Sequence, residues 1–229
     1  MKAVLLCLLL IVSTVVHAAN DIPNVMRFNK PPQTPQARYV IELMGMVYHE
    51  LGVELRLEEF NHKGSLIAAN AGNLDGQLAR VASVETEYPN LRRVDYALFQ
   101  FNLQFLSLCS HCDLKAVSSL TIRSGYPVAT AYLAEHHIQA YIIDVKSAVT
   151  QLNLVVQRQV EGALILDFHL KPHLKNINEE TLQIKNLAVV ESFHFVHKRY
   201  EHLIPLIKAK LEEFEHEGII EMLRAKYQI

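Results

Sequence analysis

Three stretches of the 229-residue chain bring together residue types suited to holding a small charged molecule. Ser124, Gly125 and Tyr126 stand between a strand-like and a helix-like segment. Their amides and the Ser124 hydroxyl could cradle a carboxylate at a helix N-terminus, against the plainer reading of a simple turn. Asp167 closes the continuous apolar run that begins at Gly162. Such a run suits a buried parallel strand, and the carboxyl edge of strands is where open α/β sheets hold ligands. The competing reading is that Asp167 caps the turn Phe168-His169-Leu170. Arg80 ends a strand-like segment that follows the Asp75-Gly76 turn. A planar guanidinium fork binds both oxygens of a carboxylate at once, although a salt bridge with Asp75 would explain the same residue.

Catalytic signatures are missing from the sequence. It contains no Gly-x-Ser-x-Gly elbow, no His-Glu-x-x-His and no glycine-rich phosphate loop. The expectation is therefore a binding protein, not an enzyme, with no cofactor. The 12 histidines raise the question of metal. His169 and His173 are four apart with Pro172 between them, and His194 and His197 fall on a strand-like segment whose odd spacing sends their side chains to opposite faces. No third ligand stands at a zinc-like spacing, so no metal site is expected.

Residues 1–18 read as an address. Lys2 precedes an apolar stretch of about 14 residues, too short to cross a bilayer as a helix, which needs roughly 20. Val16-His17-Ala18 then supplies the small residues of a cleavage site. The mature chain is expected to begin at Ala19 and to work in the periplasm. Export gives Cys109 and Cys112 an oxidising environment, so a local disulfide is the preferred reading. Free thiols, a redox motif or half a zinc site stand as alternatives for this Cys-x-x-Cys pair. The chain is 50% apolar and 20% charged, with 22 Lys+Arg against 24 Asp+Glu. It can bury a substantial core, and its balanced charge disfavours nucleic-acid binding, which calls for a basic surface.

The elements that must position these residues alternate between strand and helix patterns, which favours an α/β architecture. Strands are expected over residues 24–28, 53–57, 120–123, 138–143 and 162–166. Helices are expected over 38–51, 65–71, 128–136, after Ser147, and from about 200 to 227 with a break at Gly218. Pro31-Pro32 precedes the first helix, and Gly52 and Gly72 end the first two.

The order of these segments resembles the periplasmic solute-binding proteins of the family-3 type, the polar-amino-acid receptors of ABC transporters, in what looks like a proteobacterial branch. The resemblance spans nearly the whole mature chain. It is carried best by Lys63-Gly64-Ser65-Leu66 through Asn70-Ala71-Gly72-Asn73-Leu74-Asp75-Gly76-Gln77-Leu78-Ala79-Arg80, by Glu87-Tyr88-Pro89-Asn90-Leu91, and by Phe193-His194-Phe195-Val196-His197-Lys198 ahead of a helix and Glu217-Gly218-Ile219-Ile220. It implies a two-lobed periplasmic-binding-protein fold of type II, with lobe 1 over residues 19–103 and 193–229, lobe 2 over 104–192, and a ligand cleft between them. The lobes would close on ligand by hinge motion.

The same resemblance implies an exported monomer that captures an amino acid or related small organic acid for an inner-membrane permease. A ligand-sensing subunit for a membrane receptor is the second reading, and a dehydratase or lyase on the same scaffold the third. Around the implied cleft the ligand-binding candidates are Arg80, Asp167, Ser124, Gly125, Tyr126, Asn29 and Lys63, with Lys30 weaker. Phe28, Phe60, Tyr126 and Phe168 are the rings that could stack on a ligand, core packing being the alternative for most. Where the family commonly carries a Thr-rich stretch, this chain reads Val84-Glu85-Thr86-Glu87-Tyr88.

Overall fold

The computed structural model describes residues 22–174 and 182–229. The expected signal segment and the expected start at Ala19 lie outside these residues. Strand β1 (Val25–Asn29) pairs in parallel with β2 (Glu54–Glu58), and helix α1 (Pro35–Glu50) makes the crossover. α1 starts at Pro35, ahead of the expected Arg38. Thr34 stays extended and its side chain accepts from the Ala37 amide at 3.1 Å, while proline needs no amide partner in a first turn. One face of α1 puts Leu43, Met44, Val47 and Tyr48 out of water altogether. Gly52, at φ 72°, then turns the chain back.

Helix α2 (His62–Asn70) is capped by the Asn61 side chain, and β3 (Gly76–Val81) follows it. Gly76 is required by close approach: a Cβ there would stand 2.1 Å from the Phe195 carbonyl oxygen. A short helix α3 (Val84–Glu87) leads into β4 (Leu91–Ser107). The rest runs β5 (Ser119–Arg123), α4 (Pro127–Glu135), β6 (Tyr141–Val145), α5 (Ala148–Val156), β7 (Gly162–Leu166), α6 (Asp167–Leu174) and β8 (Gln183–His197). A 3-10 turn (Lys198–Leu203) and helices α7 (Ile204–His216) and α8 (Ile219–Tyr227) complete the chain. Cys109 and Cys112, just beyond β4, are joined in a disulfide.

A six-stranded sheet runs in the order β3-β8-β4-β7-β5-β6. β7 is fully buried, parallel to β5 on one side and antiparallel to β4 on the other. Its alternation divides two packing layers: Leu164 and Leu166 join Phe105 and Leu120 on one face, while Ala163 and Ile165 join Leu152 and Val155 of α5 on the other.

β4 and β8 are long because each serves two cores. Val94 and Leu98 of β4 and Val196 of β8 pack with Met26, Phe28, Tyr48 and Ile207 in the first core. Further along β4, Phe101, Leu103 and Phe105 pack with Leu120 and Leu166 in the second, with Val190 of β8 against them. The β4–β8 register slips between Arg93 and Ala97 and again between Ala97 and Phe99, at the approach to the crossing. Such bulges bend a strand pair and increase its local twist.

Candidate ligand-binding site

A cavity of about 360 Å³ lies where the two cores meet. This is the size of a small-metabolite site, at the lower end of the range of roughly 300–1,000 Å³ for ligand pockets. Its walls come from the start of α1, from β3, from Phe99 and Phe101 of β4, from the β5–α4 turn and from the start of α6. The interior is mostly apolar, with a few polar groups whose partners decide what it can hold.

Arg80 is the first of these. Its Nη1 donates to the Ala79 carbonyl at 3.1 Å and its Nη2 to the Ser65 hydroxyl at 3.1 Å. Nε is buried and has no hydrogen-bond partner. Among the described residues no carboxylate forms an ion pair with it. Asp75, the alternative partner in the sequence, is engaged by Arg199 and Arg27. Burial pushes the Arg80 guanidinium down to about 10, with Tyr126 and Tyr88 acting in the opposite direction, so it keeps its charge at neutral pH.

On the facing wall, Gly125 takes φ 82°, a left-handed conformation that suits glycine and turns the chain from β5 into α4. That turn places Arg123 with its guanidinium carbon 4.6 Å from the centre of the Tyr126 ring. His169 meets the same ring edge-on at 4.8 Å. Burial, then the charges of Arg123 and His173, push His169 down to about 3, so it is a neutral ring here. The N-terminus of α4 has no side-chain cap. Gln36, in the first turn of α1, lines the cavity with a buried Oε1 that lacks a partner. Asn29 lines it too, with its Oδ1 accepting from the Phe60 amide at 3.0 Å.

No family model matches the chain, and no curated protein matches it by sequence. Solved structures do match it in three dimensions. A substrate-binding protein of an ABC uptake transporter from Streptococcus pneumoniae, with bound histidine, superposes at a TM-score of 0.71 with 11% identity, over 89% of this chain and 92% of that one. The GluR0 ligand-binding core from Nostoc punctiforme with L-glutamate gives 0.68 and 16%, over 90% and 99%. A mutant of ArgBP from T. maritima gives 0.66 and 11%, over 89% and 95%. The fold is the two-lobed solute-binding fold.

Within this solute-binding fold the sequence-expected residues divide. Arg80, Gly125, Tyr126 and Asn29 line the cavity, as does Phe168 among the expected rings. Ser124 and Asp167 are not in the lining. Asp167 is instead tied down: Oδ1 accepts from the Phe168 amide at 2.7 Å, Oδ2 from Asn102 at 3.0 Å, and Lys171 stands 3.9 Å away. It is the first residue of α6. Lys63 falls in α2, and its side chain lies outside the described residues. Lys30 faces solvent beside Glu59 at 3.1 Å. Phe28 is core, between Tyr48 and His194, and Phe60 is not in the lining.

Sequence reasoning passed over Arg123 and Gln36. The signal for Arg123 was its place as the last strand residue before the Ser124-Gly125 turn, the same logic that singled out its neighbours. Gln36 was hidden by reading the start of α1 too late. Among the described residues no group of three His, Cys, Asp or Glu side chains is arranged to hold a metal ion, and no helix is long and apolar enough to cross a membrane.

Proposed function

We propose that the chain is an exported receptor that captures an amino acid or related small organic acid between two lobes and delivers it to an ABC-type permease. The observation that carries this reading is Arg80, a cation that has no carboxylate partner among the described residues, on the wall of a cavity of metabolite size. An unpaired, partly desolvated guanidinium is costly unless something completes it, and a ligand carboxylate is its best complement. In this reading residues 1–18 are removed on export to the periplasm. Lobe 1 comprises 19–103 and 193–229, lobe 2 comprises 104–192, and β4 and β8 form the hinge on which a monomer closes.

The chemistry is recognition without turnover. Of the acid–base candidates a dehydratase would need, Asp167 has its oxygens engaged by the Phe168 amide and Asn102 and Glu161 bonds Ser118 in solvent, while His169 lines the cavity as a neutral ring with neither of them beside it in the lining. The second reading, presentation of ligand to a membrane sensor, is supported by the similarity to a ligand-binding core alongside transporter proteins.

A thermal-shift screen of the purified protein against amino acids, mono- and dicarboxylates, small peptides and divalent metals tests the proposal. A ligand at a hundredfold excess over its dissociation constant adds about 2.7 kcal/mol to the folded state. The expected result is a raised melting temperature with carboxylic acids, abolished in Arg80→Ala. No shift with any carboxylate, or one undiminished in Arg80→Ala, overturns it.

A further inference from the structure

The cavity carries a second cation. Arg80 comes from β3 and Arg123 from the end of β5, and both line the same space. Neither forms an ion pair with any carboxylate among the described residues. The ring of Tyr126 relates them: Arg123 sits 4.6 Å from its centre, and Tyr126 also acts electrostatically on Arg80. The uncapped N-terminus of α4 adds partial positive charge beside Arg123. Two like charges sharing a partly desolvated space repel each other, and a single carboxylate would relieve only one.

Negative charge is placed differently. Asp167, buried at the start of α6 but outside the lining, spends its oxygens on the Phe168 amide and Asn102, with Lys171 3.9 Å away. Glu87 and Asp144 reach the lining but are solvent-exposed, so they remain hydrated. An ammonium group entering the interior would meet two guanidiniums and no buried carboxylate free to take it. The unpaired acceptor that the cavity does present, Gln36 Oε1, is neutral and is completed by a hydroxyl donor. The lining also includes Leu66, Val84, Phe99, Phe101, Leu166 and Phe168, which suit a hydrocarbon spacer.

We propose that the ligand is a dicarboxylate without an ammonium group, one acid end held by Arg80 and the other by Arg123. This rests on the receptor reading given above and narrows its ligand class. The two guanidiniums act as a matched pair of anchors, and the apolar walls exclude water from the spacer. The amino group that defines an amino acid has no buried counter-charge here, and the pair of cations disfavours it.

Isothermal titration calorimetry of the purified protein against the linear dicarboxylates from succinate to suberate, the matching monocarboxylates, and glutamine and glutamate tests this. The expected result is that one dicarboxylate binds at least about tenfold tighter than its monocarboxylate and than either amino acid. Arg123→Gln should erase that difference, leaving mono- and dicarboxylate equal. Arg123 makes no side-chain hydrogen bond among the described residues, so this variant loses the stacking on Tyr126 but is expected to keep the fold, and an unchanged unliganded melting temperature verifies it. An amino acid or monocarboxylate binding as tightly as every dicarboxylate, or a dicarboxylate unaffected by Arg123→Gln, overturns the assignment while leaving the receptor reading intact. Binding by no carboxylate at all overturns both.

Discussion

Buried polar groups are treated in two ways in this molecule. In the first core, His194 is enclosed completely, yet both ring nitrogens are engaged: Nε2 with the Tyr48 hydroxyl at 2.7 Å and Nδ1 with the Leu78 carbonyl at 3.2 Å. Nearby Asp75 takes the Arg27 amide at 2.6 Å together with the guanidinium of Arg199, and its own backbone bonds Arg27 and His197. That cluster ties β1, β3 and the end of β8 into one unit. In the cavity, by contrast, Arg80 Nε and Gln36 Oε1 are buried and unpaired. A folded chain satisfies nearly all its buried polar groups; of the five such atoms without a partner among the described residues, those of Arg80 and Gln36 line the cavity, where something from outside can complete them, while Tyr96, Thr121 and Gln151 carry the others elsewhere. The first region is built for stability; in the receptor reading the second gives up stability for recognition.

Substitutions should separate the two. The largest loss is expected from Asp75→Ala, which strands a buried amide and two arginines; because both arginines are partly exposed, the cost is about 2–4 kcal/mol, read from urea unfolding. A loss under half a kilocalorie would show that the cluster is incidental. Tyr48→Phe removes the donor to His194 and should cost about 1–2 kcal/mol with the ligand profile unchanged.

Acid should act on both regions. Burial pushes His194 down to about 4, well below its ordinary value of 6.5, and His169 is shifted the same way. The unfolded chain therefore takes up protons first. The stability these neutral rings contribute is complete above about pH 6.5 and is lost as pH falls toward and through about 4. Unfolding midpoints at pH 7 and pH 5 measure this, and equal midpoints would mean that the histidines ionise freely in the fold. The smallest effect belongs to the cavity: Gln36→Leu removes an unpaired acceptor and should leave the unliganded protein unchanged or more stable by up to about 1 kcal/mol. A marked loss of stability there would place Gln36 with the first region.

Much of the scaffold was legible because local signals agreed with tertiary demands. The apolar spacing of α1, the Ser147 cap of α5 and the unbroken run of β7 each reported one environment. β4 was not legible as a single strand. Its residues serve two cores in turn: Arg92, Arg93 and Asp95 break the alternation of the first part, where bulges reset the faces, and only Phe99 to Phe105 alternates apolar and polar residues regularly. β6 begins at Tyr141, later than the expected 138, because Ile138 packs against the second core ahead of the strand. At the site, the position of Asp167 at a strand end was readable but its orientation was not: the sequence does not show that Asn102, 65 residues earlier, would claim one of its oxygens.

The two-core arrangement also fixes an order of assembly. The second core draws its residues from an uninterrupted stretch, Phe101 to Leu166, with β8 added soon after, whereas the first joins Met26 to Val196, Ile207 and Leu223. Synthesised from its N-terminus, the chain has all the parts of the inner body while the outer one still lacks its closing helices, α7 and α8. The outer body must therefore wait, with the apolar face of α1 uncovered, until the last few dozen residues emerge. During that interval the nascent protein is most exposed to aggregation, and a short truncation at its far end would unmake the half that was begun first.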